Sequence, residues 1–193
     1  MNSFCGDYPS PEEEYKVKFM KKRGGYKIIR YTGVGEEIII PKEINGEAVL
    51  ALERLAEYNR RTRRYEGGRD LISVAIPNSI VEIDYQAFRG CRGLINIVVN
   101  ADNENFMVEG GILFNKDKSV LLKYPQGKSY NEYKIPGGVT EIGTDAFNGC
   151  VYLENVTIPD SVVILNVQRC QLVQRYPITF KIGFDVALYN IVV

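Results

Sequence analysis

The apolar positions of this chain recur in a fixed order. The pattern Leu, two residues, Val or Ile, one residue, Ile or Val occurs three times, at residues 71–76, 94–99 and 153–158. The last two apolar positions of the pattern are two residues apart, so they share one face of an extended segment. Each occurrence therefore predicts a short strand that buries one face and exposes the other.

A longer segment is present twice, as residues 76–94 and as residues 135–153. The copies share Ile-Pro at the start, then Glu-Ile, Ala-Phe, Gly-Cys and a final Leu. The Ile-Pro mark, or its equivalent, falls at residues 40, 76, 99, 135 and 158, in steps of 36, 23, 36 and 23. A unit of 23 residues with two insertions of 13 residues explains all four steps. Repetition at such a period predicts a solenoid of stacked units.

Each unit contains further predicted parts after its first strand. The Pro of the mark ends that strand because it has no N–H to donate. A second apolar pair predicts another short strand, at Ile80 and Ile83 in one copy and at Val139 and Ile142 in the other. The Ala-Phe pair predicts a helical turn, and the Gly that follows it allows the chain to reverse.

Two insertions interrupt the repeats. The spacing of Leu52, Leu55 and Ala56 predicts a helix over residues 49–64, in place of the first Ala-Phe turn. The second insertion predicts a hairpin with strands at residues 112–114 and 120–124.

The ends of the chain lie outside the repeat frame. We expect residues 1–14 to form a flexible segment and residues 15–36 to form a hairpin that caps the solenoid. Residues 37–165 are predicted to hold the repeats of a single domain, which extends over residues 15–193. The segment 166–193, with Cys170 where a Phe is expected, is either a divergent cap or a frame-altered remnant.

The two clean copies resemble the BspA-like leucine-rich-repeat family, whose consensus is similar to Ile-Pro-x-x-Val-x-x-Ile-Gly-x-x-Ala-Phe-x-Gly-Cys-x-x-Leu-x-x-Val-x-Ile-Pro. The resemblance extends over about residues 35–165, and Glu109 replaces the usual Asp of a recurrent family insertion. It implies a repeat solenoid of the α/β class that is mostly β: a short right-handed superhelix with an N-terminal hairpin cap and an inserted hairpin. It also implies a non-catalytic bacterial protein that binds proteins or cell-surface components and is secreted or surface-exposed.

The composition excludes several kinds of site. The chain has no histidine, which removes imidazole catalysis, Ser-His and Cys-His nucleophiles and HExxH zinc sites. Its 24 basic and 24 acidic residues cancel, so no overall field favours nucleic acid. Cys91 and Cys150 occupy one repeat position and predict buried thiols. Glu82 and Glu141 also match by repetition, without any need for chemistry. We expect no enzyme activity, no cofactor and no metal.

The sequence shows neither a membrane span nor a signal peptide. If Met1 is the true start, the expected location is the cytoplasm, and an intracellular interaction scaffold is an alternative to the surface protein.

Three sets of residues are candidates for partner binding. Outward positions of the predicted strands form a flat neutral strip that suits a protein or peptide. Rings near the inserted hairpin form the second set. The third set is an arginine cluster, either a solvated face with ion pairs or a site for an anionic polymer or nucleic acid. In that order the sets are Ser73, Ala75, Asn96, Val98, Asn155 and Thr157; Tyr124, Tyr130 and Tyr133; and Arg60, Arg61, Arg63 and Arg64.

Overall fold

Short strands make up almost all of the regular structure. A computed structural model describes residues 11–165 and the backbone of residues 179–182. A 3-10 turn, Glu12–Glu14, precedes the first strand, and these described residues contain no α-helix. In chain order the strands are β1 (Tyr15–Met20), β2 (Gly25–Tyr31), β3 (Glu37–Ile39), β4 (Glu43–Ile44), β5 (Glu47–Leu52), β6 (Ala56–Asn59), β7 (Arg64–Gly67), β8 (Ser73–Ile76), β9 (Glu82–Ile83), β10 (Asn96–Val99), β11 (Phe106–Glu109), β12 (Ile112–Asn115), β13 (Val120–Lys123), β14 (Glu132–Lys134), β15 (Glu141–Ile142), β16 (Asn155–Ile158), β17 (Ile164–Leu165) and β18 (Thr179–Ile182).

One parallel ladder joins the first strands of successive repeats. It runs β3–β8–β10 in the N-terminal half and β14–β16–β18 in the C-terminal half. Ile38, Val74 and Ile97 are aligned across the first of these sheets, and each is almost completely buried. Because side chains alternate along a strand, the neighbouring positions Ala75 and Val98 face outward.

A second parallel ladder joins the short strands that follow the Ile-Pro marks. It runs β2–β5–β9 and then β13–β15–β17, with Leu52 aligned with Ile83 in the first half. Turns then return the chain to the first ladder. They are closed by bonds between residues three apart, such as the one from Ala87 N–H to the Asp84 carbonyl, at 2.8 Å. The predicted solenoid of stacked, mostly β coils is confirmed.

The two halves of the solenoid are built alike. Each begins with an antiparallel hairpin, β1–β2 in the first half and β12–β13 in the second, whose last strand starts the short-strand ladder. Both hairpins end in a buried tyrosine whose N–H donates to the next coil. Tyr31 donates to the Leu55 carbonyl at 3.2 Å, and Tyr124 donates to the Ala146 carbonyl at 2.9 Å. The predicted hairpin cap and the predicted inserted hairpin are therefore both present.

The helix predicted over residues 49–64 is wrong. The segment contains β5 and then an antiparallel hairpin of β6 and β7, in which Tyr58 lies opposite Tyr65. Leu55 takes the place of the Ala-Phe turn, and its N–H donates to the Ala87 carbonyl of the next coil at 2.8 Å. The apolar spacing therefore reflects burial by successive coils. Hydrogen bonds to the neighbouring coils prevailed over a weak helical preference.

The interior is divided into two apolar clusters, one in each half. A cavity of about 200 Å³ lies between β9 and β13, which belong to separate sheets, so the second ladder is interrupted between the halves. Hydrogen bonds from the turn that follows β13 help to join the halves. Gln126 Nε2 donates to the Phe88 carbonyl at 3.0 Å, and Gly127 N–H donates to the Leu94 carbonyl at 2.7 Å.

The predicted terminal segments lie largely outside the described residues. Residues 1–10 of the predicted flexible start belong to this part, as does Cys170 in the predicted C-terminal segment. The backbone of β18 pairs in parallel with β16. The divisions at residues 14, 36 and 165 stay predictions.

Candidate binding site

The neutral strip predicted from the sequence lies on the outer face of the first ladder. Ala75 is aligned with Val98, and both are half-buried. We call the outward side chains of these sheets the ladder face. Its predicted members are Ser73, Ala75, Asn96 and Val98 in the N-terminal sheet and Asn155 and Thr157 in the C-terminal sheet. Ser73 differs from the others because only 4% of its surface is accessible.

The inserted hairpin contacts the edge of the ladder face at β10. The Gly111 carbonyl accepts the Ile97 N–H at 3.2 Å. A Cβ added to Gly111 would lie 2.5 Å from Asn96 Oδ1, so the hairpin backbone packs directly on that side chain. The structure therefore presents the six predicted residues as two groups, one in each sheet.

The three predicted tyrosines do not share one surface. Tyr124 is 1% exposed, and its ring centre lies 5.1 Å from that of Tyr133 and 5.7 Å from that of Phe147. Burial raises the pKa of Tyr124 to about 12, and it also raises the pKa of Tyr133. Tyr130 is 65% exposed, with Lys128 Nζ at 5.6 Å from its ring centre. Of the three, Tyr130 is the ring that solvent reaches freely.

The arginine cluster belongs to the β6–β7 hairpin, which has two chemically different faces. Glu57 and Glu66 lie opposite each other on one face. Arg30 binds both carboxylates there, with N–O distances of 2.7 and 3.3 Å. Tyr58 and Tyr65 lie opposite each other on the other face, with ring centres 5.3 Å apart. Strand alternation thus separates the acidic side chains of the hairpin from its tyrosines.

The tyrosine face of the hairpin forms one wall of a cleft of about 660 Å³. Two arginines come from the hairpin and the segment before it, and two come from the turn that follows β9. Small residues of both repeat copies, Gly90 and Gly149, form part of its floor. We call this the arginine–tyrosine cleft, and its charged and aromatic lining is Arg54, Tyr58, Arg63, Tyr65, Arg89 and Arg92.

The cleft gathers positive charge without local neutralisation. No carboxylate of residues 11–165 lines it. Over the same part of the chain, none of its four arginines forms an ion pair, and Arg54 donates instead to Gln86 Oε1 at 2.8 Å. A concave surface of one sign concentrates anions, and guanidinium groups match the geometry of carboxylates. The arrangement is suited to binding an anion and contains no nucleophile–base pair.

Sequence reasoning misses two of these arginines, although the repeat contains a signal for them. Arg89 and Arg92 flank the Gly-Cys of the first copy, where the second copy has Asn148 and Val151. Positions at which one copy replaces a neutral residue by arginine are not explained by the fold they share. A comparison of the two copies at their surface positions would have selected both residues.

The structure divides the predicted arginine set between different surfaces. Arg63 lines the cleft. Arg64 lies opposite Asn59 on the acidic face of the hairpin, and Arg60 and Arg61 are exposed in the loop between the strands. An anionic-polymer site on these four residues stays a prediction.

Glycine in the left-handed region makes room for the wall of the cleft. Gly90 has φ of +89°, and an added Cβ would lie 2.3 Å from Tyr65 Cδ1. Gly149 has φ of +80° at the matching position, where an added Cβ would lie 2.6 Å from the Gln126 side chain. These glycines therefore permit both the chain reversal and the close approach of a side chain from the preceding coil.

The remaining reactive groups are structural. Cys91 and Cys150 are buried, as predicted, and burial raises the pKa of Cys91 to about 12. Glu82 forms an exposed ion pair with Arg23 at 2.7 Å. The described residues contain no group of three or more Cys, Asp or Glu side chains arranged to hold a metal ion.

Within the described part of the chain, no helix has the length and apolar character needed to cross a membrane.

Comparison with known families and structures identifies similar proteins. The model of the BspA type leucine rich repeat region matches residues 62–108 and 124–169, in six copies. A leucine-rich repeat protein from Eubacterium ventriosum is 24% identical over 49% of this chain and 32% of its own, with a TM-score of 0.44. The T. pallidum leucine rich repeat protein is 20% identical over 83% of both chains, with a TM-score of 0.48. A leucine rich cell surface protein from Faecalibacterium prausnitzii is 16% identical over 83% of this chain and 73% of its own, with a TM-score of 0.43.

This chain thus spans about a third of the Eubacterium ventriosum protein. A search of curated proteins finds no match. The family match falls on the repeats that form the two ladders, and a solenoid of such repeats suggests a protein-interaction module of a generally non-enzymatic class. The residues that the copies share and the coils that they build agree with this match, and the matched segments are leucine-rich repeats of the BspA type.

Proposed function

We propose that this protein is a non-catalytic, adhesion-type module that binds another protein through its ladder face. The family supports a protein partner, since its repeats suggest an interaction module. The chemistry of the ladder face supports the location. Both of these arguments are independent of the arginine–tyrosine cleft.

One observation supports the ladder face most directly. Ile39, Ala75 and Val98 are aligned across β3, β8 and β10, and each is partly open to solvent. They form a flat apolar strip on the most regular surface of the molecule. Contiguous apolar side chains on such a surface are typical of the centre of a protein interface, from which charged residues are depleted.

The absence of catalysis belongs to the same proposal. Groups with strongly shifted pKa values mark active sites when they lie in a cleft that substrate can enter. Here the shifts of Cys91 and Tyr124 arise from burial within the core, where no substrate reaches them. The chain also has no histidine to act as an acid or base near neutral pH.

The test uses matched charge variants of the purified protein. Ala75→Glu with Val98→Glu places two carboxylates in the strip and leaves the inward side chains unchanged. Val81→Glu with Val163→Glu is the control, because both valines are exposed outside the ladder face, at 42% and 78%. Each protein is used as bait on surface and cytosolic fractions of the source organism.

A captured protein is then purified, and its affinity is measured by calorimetry. We expect the wild type and the V81E/V163E control to bind it equally, and the A75E/V98E variant to bind at least about tenfold more weakly. Equal affinity of all three proteins would reject the ladder face as the binding surface.

A further inference from the structure

We propose that the arginine–tyrosine cleft binds a short acidic segment of a partner protein. Carboxylates of the segment contact Arg89 and Arg92, and an apolar or aromatic side chain of the segment packs on Tyr58. The site is separate from the ladder face, because no described residue of the two parallel ladders lines the cleft. It therefore goes beyond the proposed function and rests on different residues.

The first argument is charge. The chain is neutral as a whole, with 24 residues of each sign, yet the cleft contains four arginines and no carboxylate of the described residues. The nearest acidic residues of the hairpin, Glu57 and Glu66, are held on its far face by Arg30. Like charges in one concave surface repel each other, and bound carboxylates would relieve that repulsion.

The second argument is the shape of the cleft and its aromatic wall. Its volume of about 660 Å³ is that of a pocket for a few side chains. Tyr65 is fixed against Gly90, and Tyr58 meets it edge to face while 47% of its own surface stays exposed. An open ring face beside guanidinium groups accepts an aromatic or apolar side chain next to a carboxylate.

The third argument separates a peptide from a nucleic acid. A nucleic acid follows a continuous basic stripe, because its charge is spread along the whole strand. Here the four arginines of the cleft are grouped in one concave surface, and beyond it the far face of the hairpin presents Glu57, whose side chain is 51% exposed. A short segment with a few carboxylates fits this distribution, whereas a long phosphate backbone would meet that carboxylate.

The test measures fluorescence anisotropy with the full chain at low salt. The probe is a short fluorescein-labelled peptide in which glutamates flank one phenylalanine. Two further probes are the same peptide with glutamine for every glutamate and an oligo-thymidylate of equal charge. We expect the glutamate peptide to bind, the glutamine peptide not to bind, and the oligo-thymidylate to bind more weakly than the glutamate peptide.

A pair of matched variants locates the site. Arg89→Gln with Arg92→Gln should weaken binding of the glutamate peptide by about tenfold or more, since each change removes a charge-assisted contact. Arg61→Gln with Arg64→Gln removes the same charge from the hairpin outside the cleft and should change affinity by less than about twofold. Equal weakening by both pairs would overturn the proposal, as would tighter binding of the oligo-thymidylate.

Two further variants keep the test decisive if R89Q/R92Q does not fold, as judged by circular dichroism. Arg92→Glu alters one exposed side chain and should abolish binding of the glutamate peptide. Tyr58→Ala should remove the preference for the phenylalanine peptide over one with glycine in its place. Unchanged binding in R92E would overturn the proposal. If the proposal for the cleft fails, the proposal for the ladder face is unaffected, because the A75E/V98E variant changes no residue of the cleft.

Discussion

A single buried asparagine fixes the turn that follows β10. Asn103 has no exposed surface, and its amide group makes four hydrogen bonds. Its Nδ2 donates to the carbonyls of Pro77 and Ile80, at 2.9 and 3.0 Å. Its Oδ1 accepts from the N–H groups of Asn105 and Phe106, both at 2.9 Å. All the hydrogen-bonding capacity of this side chain is therefore used.

We predict that Asn103→Ala destabilises the protein by about 3 kcal/mol, because it leaves several buried polar groups without partners at about 1–3 kcal/mol each. Asn100→Ala is the control, since its Oδ1 accepts one exposed N–H, from Asp102 at 2.9 Å, and its loss should cost less than about 1 kcal/mol. Urea unfolding measures both. A similar loss of stability in the two variants would contradict the account of Asn103.

Tyr124 is the opposite case, a buried hydroxyl that makes no hydrogen bond to the described residues. Removing such a group changes the free energy of unfolding little, because no other buried group loses a hydrogen bond. We predict that Tyr124→Phe leaves stability near neutral pH unchanged or raises it by up to about 1 kcal/mol.

The same variant changes the response to alkali. Burial raises the pKa of Tyr124 to about 12, so the folded state holds the phenolic proton more tightly than the unfolded state. The stability linked to this proton is fully present below about pH 10 and is lost as the pH rises towards 12. The wild type should therefore lose more stability than Y124F between about pH 9 and pH 11. Tyr130→Phe, at an exposed position, serves as the control. If the melting temperatures of Y124F and the wild type fall equally over this pH range, the raised pKa of Tyr124 is refuted.

The turn after β9 determines how the β6–β7 hairpin sits on the solenoid. Gly90 and Gly138 both have positive φ, at +89° and +95°. An added Cβ meets the Tyr65 ring at Gly90 but meets no atom within 4 Å at Gly138. The pair therefore separates backbone strain from the contact with the hairpin.

We predict that Gly138→Ala costs about 1 kcal/mol from backbone strain alone. Gly90→Ala should cost roughly 1–3 kcal/mol more, because the ring of Tyr65 must move out of its position. Thermal unfolding of both variants gives the difference. If the two variants have the same melting temperature, the position of the β6–β7 hairpin does not depend on its contact with this turn.

The strands of the ladders were predictable because the same apolar pattern recurs in successive coils. Ser73–Ile76, Asn96–Val99 and Asn155–Ile158 all lie where the pattern places them. The pattern fails where the repeat is interrupted. β6 and β7 carry few apolar residues, and their pairing is fixed by a cross-strand tyrosine pair and by contact with the next coil. The strand Phe106–Glu109 was missed for a related reason, since it pairs only with the inserted hairpin.

The candidate site was only partly predictable. Outward positions such as Ala75 and Val98 follow directly from strand alternation. The arginine–tyrosine cleft does not, because Arg63 and Arg89 are distant in sequence and meet only when the hairpin folds over the next turn. Charge density along the sequence emphasised Arg60 and Arg61, which the fold leaves exposed at the hairpin tip.

The whole molecule is a neutral solenoid with two chemically distinct surfaces. Its halves share one plan, a hairpin and a parallel sheet of three first strands, and hydrogen bonds such as that of Gln126 join them. The ladder face is uncharged at Ala75 and Val98 and has the charged residues Glu37, Glu132 and Lys134 on the edge strands β3 and β14. The cleft, in contrast, lies on the turns and is positively charged. A protein partner that uses both would place an apolar surface on one and an acidic segment on the other.

The ladder face is the centre of this account, and site-specific photo-crosslinking tests it most directly. A benzophenone side chain is introduced at position 98, on the ladder face, or at position 163, where Val163 is exposed outside it. Each protein is irradiated in surface and cytosolic fractions of the source organism, and covalent adducts are identified by mass spectrometry. We predict one recurrent protein adduct from position 98 and none of that protein from position 163. An adduct formed from position 163 and not from position 98 would contradict the account.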